Sequence, residues 1–124
     1  MTTISTPAAP NPVGPYSQAI KTNGFVFLSG QIPLDPSTMR IVDGGIREQT
    51  EQALRNVSEL VLAAGSELRH VVRCVVYLKT MTDFAEMNEV YGRFFNDTPP
   101  VRTTIESGNL PKGALIEIEA TALG

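Results

Sequence analysis

Near the end of the chain, Ile116, Ile118, Ala120 and Ala122 alternate with Glu117, Glu119 and Thr121. A period of two puts these sets on opposite sheet faces, so Ala114 to Ala122 reads as a strand with its apolar row against a core. Val101 to Ser107 reads as another strand, separated from it by the turn-rich segment Gly108 to Gly113. Val71 to Leu78 is rich in β-branched residues. Its row Val72, Cys74, Val76 and Leu78 faces away from a second row, Val71, Arg73, Val75 and Tyr77, which is itself half apolar. Upstream, Tyr16 to Lys21 and Phe25 to Gln31 flank Asn23-Gly24, the dipeptide that suits the left-handed backbone of a tight hairpin, and two antiparallel strands are expected.

Between Gly45 and Gly65 the period changes. Ile46, Ala53, Leu54, Val57, Leu60, Val61 and Ala64 fall mostly three or four apart, and Gly65 suits the position after a helix end. A second helix is predicted where Phe84, Met87, Val90, Tyr91, Phe94 and Phe95 repeat at helical spacing. Thr82 or Asp83 can cap it, and Pro99-Pro100 end it. Ile32 to Gly45, with Pro33, Asp35-Pro36 and Gly44-Gly45, reads as a loop. Residues 1–15 carry Pro7, Pro10, Pro12 and Pro15 and read as an extended arm outside the core.

The resulting order, ββαβαββ, predicts one α+β domain over residues 1–124, with two helices covering one face of a sheet. Two helices cannot cover both faces. The half-apolar second face is therefore expected to pack against other copies of the chain. Composition agrees with a folded domain, at 42% hydrophobic and 19% charged residues. Ten Lys and Arg against thirteen Asp and Glu leave a net charge of −3, which disfavours nucleic-acid binding. No apolar run is long enough for a membrane span, and the N-terminal residues lack the pattern of a secretory or transit signal, so a cytoplasmic setting is expected.

One Cys, Cys74, and one His, His70, exclude an internal disulfide and a Cys/His zinc site within the chain. Cys74 reads as a buried small hydrophobe and His70 as a structural or surface residue. Arg102 stands at the start of a strand on the same side as Thr104 and Glu106. If the last two strands form an antiparallel hairpin, Arg102 and Thr104 share a face with Glu117 or Glu119. Pattern alone then favours an interstrand ion pair over an anion site. Glu117 reads either as that partner or as an acid/base group. Tyr16 packs on the sheet edge or lines a pocket. Ser29-Gly30-Gln31 allows a bulge or a close approach of backbone to ligand.

The segments Gly14-Pro15-Tyr16-Ser17-Gln18-Ala19, Ser29-Gly30-Gln31-Ile32-Pro33, Pro100-Val101-Arg102 and Leu110-Pro111, followed by Ile116-Glu117-Ile118-Glu119-Ala120, strongly resemble the RidA family, also called YjgF/YER057c/UK114. The resemblance runs through nearly the whole chain in order. It implies a chorismate-mutase-like subunit assembled as a homotrimer, with clefts between neighbouring subunits. It also implies hydrolysis of reactive 2-imino or enamine acids, of the 2-aminoacrylate and 2-aminocrotonate type, to 2-oxo acids and ammonia, with no metal or cofactor. By the same resemblance Arg102 anchors the substrate carboxylate and Glu117 handles the water proton. Tyr16, Ser29, Gly30 and Asn88 contribute to the pocket, and Thr104 stands where the family often has Cys. A deaminase confined to one catabolic pathway, such as an aminomuconate type, and a ligand-binding or chaperone-like trimer without turnover are the competing readings. Ribonuclease activity, attributed to some relatives, is poorly supported by the acidic charge and the absence of a histidine pair.

Overall fold

The computed structural model describes residues 1–124. Its strands are β1 (Thr2–Ile4), β2 (Ala19–Thr22), β3 (Phe25–Leu28), β4 (Leu34–Asp35), β5 (Arg40–Ile41), β6 (Val71–Leu78), β7 (Val101–Glu106) and β8 (Ile116–Leu123). Helix α1 (Ile46–Ala63) lies between β5 and β6, and α2 (Phe84–Phe94) between β6 and β7. One six-stranded sheet has the order β1-β2-β3-β8-β6-β7, antiparallel throughout except for the parallel pair β6–β7. Both helices cover the same face, as α+β patterning predicts.

Asn23 (φ 50°) and Gly24 (φ 79°) turn the predicted β2–β3 hairpin in the left-handed region. Helix α1 starts where the Gly45 N–H donates to Glu48 Oε1 at 2.8 Å. It ends in a Schellman turn: Gly65 has φ 81°, and the Ser66 and Gly65 N–H groups donate to the carbonyls of Val61 and Leu62. The alternating apolar row of β8 is buried under α1, while Glu117, Glu119 and Thr121 face the other way. No helix is long and apolar enough to cross a membrane.

Four expectations need correction. The N-terminal arm is not outside the fold: Thr2–Ile4 pairs with β2, and Ala9 is buried in the core. The buried Gln18 side chain holds the arm down, receiving the Thr6 N–H at Oε1 and donating from Nε2 to the carbonyls of Thr6 and Pro10. The loop after Ile32 contains the small hairpin β4–β5, in which the Asp35 carboxylate accepts from the Ser37 N–H and hydroxyl at 2.8 and 2.7 Å. In β6 a bulge after Val71 makes Val72 the extra residue, so Val71 enters the core and Val72 stays exposed.

The fourth correction bears on the site. β7 and β8 are not paired; β6 lies between β8 and β7. The fully apolar row of β8 gains most from the central place beneath α1, whereas β7, exposed at alternate residues, tolerates the sheet edge. The uncovered face carries Phe25 and Phe27 on β3, Leu123 on β8, and Val101 and Ile105 on β7, all exposed. Phe25 and Phe27 lie ring to ring at 6.1 Å.

Candidate functional site

The candidate residues fall into two groups at different places on the sheet. The first forms where the chain leaving β3 runs beside β8. Gln31 N–H donates to the Ile118 carbonyl at 2.8 Å, and Ile118 N–H returns the bond at 3.0 Å. This bridge brings Gly30 against Glu117. A Cβ on Gly30 would stand 2.6 Å from Glu117 Oε2, so the carboxylate occupies space that only glycine leaves open. The Ser29 hydroxyl donates to the Ser17 carbonyl at 2.6 Å, leaving its lone pairs as acceptors. Tyr16 is exposed, and its hydroxyl accepts from the Val13 N–H at 3.2 Å. Tyr16, Gly30, Gln31, Pro111 and Glu117 line a cleft open to solvent.

Burial raises the Glu117 pKa above the ordinary carboxylate value, and the neighbouring Glu119 charge raises it further. Glu119 is held in place by the Tyr77 hydroxyl, which donates to its Oε1. Tyr77 is the cross-strand partner of Glu117, so one hydrogen bond fixes the second carboxylate near the first. This pair was not recognised as part of the site from sequence, because it depends on the β6–β8 register.

The second group lies at the β7 edge, on the helix-covered face. Arg102 pairs in register with Cys74, whose side chain is in the core, and its guanidinium carbon sits 4.7 Å from the Tyr91 ring centroid and 5.6 Å from that of Phe84. Asn88, half-buried, completes the i, i+4, i+7 stripe with Phe84 and Tyr91 on α2. Thr104 follows Arg102 on the same side of β7, and its hydroxyl, like that of Tyr91, is buried without a hydrogen-bond partner. The four ion pairs in the chain leave Arg102 out. The expected interstrand pair with Glu117 or Glu119 is therefore absent, since β6 intervenes and the side chains emerge on opposite faces. Two strand spacings, roughly 10 Å, separate β7 from β8.

The family model described as Endoribonuclease L-PSP, that of the RidA/YjgF proteins, matches residues 6–123. The chain belongs to the RidA family. A RutC family protein of Pyrococcus horikoshii is 53% identical over 119 residues, covering 96% of this chain and 94% of its own. The human 2-iminobutanoate/2-iminopropanoate deaminase is 43% identical over 120 residues, covering 97% and 88%. Escherichia coli TdcF, solved with bound serine, superposes with a TM-score of 0.96 at 37% identity, covering 100% of this chain and 99% of TdcF. Within this RidA-family chain, Tyr16, Ser29, Gly30 and Glu117 come together, whereas Arg102, Thr104 and Asn88 form a separate group. Sequence reasoning missed the seat of Arg102 on Tyr91 and Phe84. The helical spacing of those aromatics was visible, but the side of β7 facing them was not.

Proposed function

We propose that the protein hydrolyses 2-imino acids to 2-oxo acids and ammonia, acting as a homotrimer. Each site combines the Arg102 edge of one protomer with the Glu117 cleft of its neighbour. One observation carries this reading: a guanidinium without a carboxylate partner and a half-buried carboxylate in a cleft cannot meet within one protomer. The exposed apolar residues on the uncovered sheet face supply a surface for the assembly. The name of the human relative and the serine bound to the bacterial relative point to ligands carrying a carboxylate next to a nitrogen-bearing carbon.

The chemistry follows from the two ends of the substrate. Arg102 offers parallel N–H donors to the carboxylate, fixing the adjacent imine carbon over the neighbour's cleft. Asn88 and Thr104 border that anchor, while Tyr16 flanks the reacting end and Ser29 offers acceptor lone pairs. Glu117 takes a proton from water as its oxygen bonds to the imine carbon, giving a tetrahedral carbinolamine. Glu117 returns that proton to the nitrogen of the carbinolamine, which forms from the protonated imine. Ammonia departs as the C–N bond breaks, and the hydroxyl proton passes to Glu117 and on to the ammonia as the carbonyl forms. The balance is one imino acid plus one water giving one oxo acid plus ammonia. A carboxyl group with a raised pKa suits both halves of this transfer.

The direct test is an assay in which a serine or threonine dehydratase releases the imine and catalytic amounts of this protein are added. Faster oxo-acid formation is expected with wild type and none above the uncatalysed rate with Arg102→Ala. Binding of 2-oxo acids without any acceleration by wild type would favour the non-catalytic ligand-binding reading instead.

A further inference from the structure

We propose that Tyr91, with Phe84, is a positioning residue for Arg102. The two rings form an aromatic seat that fixes the direction in which the guanidinium presents its fork. The inference rests on the reading of Arg102 as the carboxylate anchor and adds what makes that anchor specific. A half-buried arginine at a sheet edge is a long flexible chain, and the usual devices for orienting its head are missing. Arg102 belongs to none of the ion pairs, and no side-chain hydrogen bond holds it. What it has is two π-faces, at 4.7 Å and 5.6 Å, within the range where a cation is attracted to a ring.

The seat itself is rigid. Tyr91 is 6% exposed and its ring packs on Phe95, with centroids 4.7 Å apart at 44°, so it cannot turn away. Phe84 lies seven residues earlier on the same helix stripe and reaches the same guanidinium from the exposed end of α2. A cation–π contact spends none of the guanidinium N–H donors on a hydrogen bond, so the fork stays free for a bidentate carboxylate. The Tyr91 hydroxyl lies beside the core Cys74 thiol and makes no bond to Arg102, so the ring rather than the oxygen should carry the effect.

The test compares Tyr91→Phe, Tyr91→Leu and Phe84→Ala. The readouts are imino-acid turnover, 2-oxobutanoate binding by calorimetry, and the Arg102 Nε–Hε heteronuclear NOE, assigned by its loss in Arg102→Lys. Tyr91→Leu should raise KM and the dissociation constant about 10-fold, as expected for a lost cation–π contact, with a smaller change in kcat. Its Nε–Hε group should become mobile, while Tyr91→Phe should match wild type in every readout. Phe84→Ala alters a partly exposed ring and should shift KM in the same direction even where Tyr91→Leu fails to fold. An Arg102 NOE equally rigid in wild type, Tyr91→Leu and Phe84→Ala would overturn the proposal whatever the activities. Wild-type protein that neither binds 2-oxobutanoate nor turns over imines, but loses Arg102 order in Tyr91→Leu, would sustain the seat and remove the deaminase reading.

Discussion

Replacing Gly30 with alanine adds one methyl group at the point where the backbone passes the Glu117 carboxylate. The new Cβ would lie 2.6 Å from Oε2, 3.0 Å from Cδ and 3.1 Å from Cγ of Glu117. The oxygen is thus roughly 0.8 Å too close for ordinary contact. The backbone cannot yield readily, because Gln31 and Ile118 exchange two hydrogen bonds and the Ser29 N–H donates to the Gln18 carbonyl at 3.0 Å. Glu117 must swing instead, at a cost of about 1 kcal/mol for leaving its rotamer. A displacement approaching 1 Å at the group that handles the water proton should lower kcat/KM on the order of 100-fold. The dehydratase-coupled assay reads the activity, and thermal melting should show a loss of only a few degrees. Gly24→Ala is the matched control: its φ of +79° makes any side chain strained, yet nothing lies within 4 Å of the new Cβ. It should cost about 1 kcal/mol of stability and leave activity intact. Gly30→Ala with wild-type kcat/KM would refute the placement of Glu117 in the chemistry.

Removing the second carboxylate with Glu119→Gln should lower the Glu117 pKa, because Glu119 raises it, but burial should keep it above the ordinary value of 4.5. For a base that must be ionised, the acid limb of kcat/KM then moves to lower pH, a shift measurable in a pH–rate profile. Linkage predicts a stability effect at Glu117 itself. Its raised folded-state pKa contributes stability below the unfolded value that is lost as pH rises through the folded one. In the dissociated chain, away from a neighbour's Arg102, Glu117→Gln should therefore melt higher than the parent protein at neutral pH, and the difference should shrink toward about pH 4. Phe27→Glu places a charge on the uncovered sheet face, where Phe27 is 47% exposed. Light scattering should show the mass falling from that of three chains to the 13.4 kDa protomer with an unchanged circular dichroism spectrum.

Local periodicity made most of the elements legible, including the apolar row from Ile116 to Ala122, the helix ending at Gly65 and the Asn23-Gly24 turn. What the pattern could not reveal depended on pairing partners. The alternation in Val101 to Glu106 is the same whether the strand lies beside β8 or at the edge beside β6, so the face Arg102 shares with Glu117 or Glu119 follows only from a hairpin the chain does not form. The bulge at Val72 and the core position of Ala9 likewise arise from register and tertiary packing. The site residues were nameable because motif segments resemble a family. Their division into two groups emerged only from topology, and the roles of Tyr77 and Glu119 near Glu117 only from cross-strand register.

The central claim is that one site needs Arg102 from one protomer and Glu117 from another, and mixed trimers test it most directly. Arg102→Ala and Glu117→Gln, each inactive alone, would be unfolded together, refolded in equal amounts and assayed. Random assortment should give intact pairings at about a quarter of the interfaces, restoring activity to roughly that fraction of wild type. Activity no higher than that of the separately refolded variants, in trimers verified to contain both chains, would contradict the shared site.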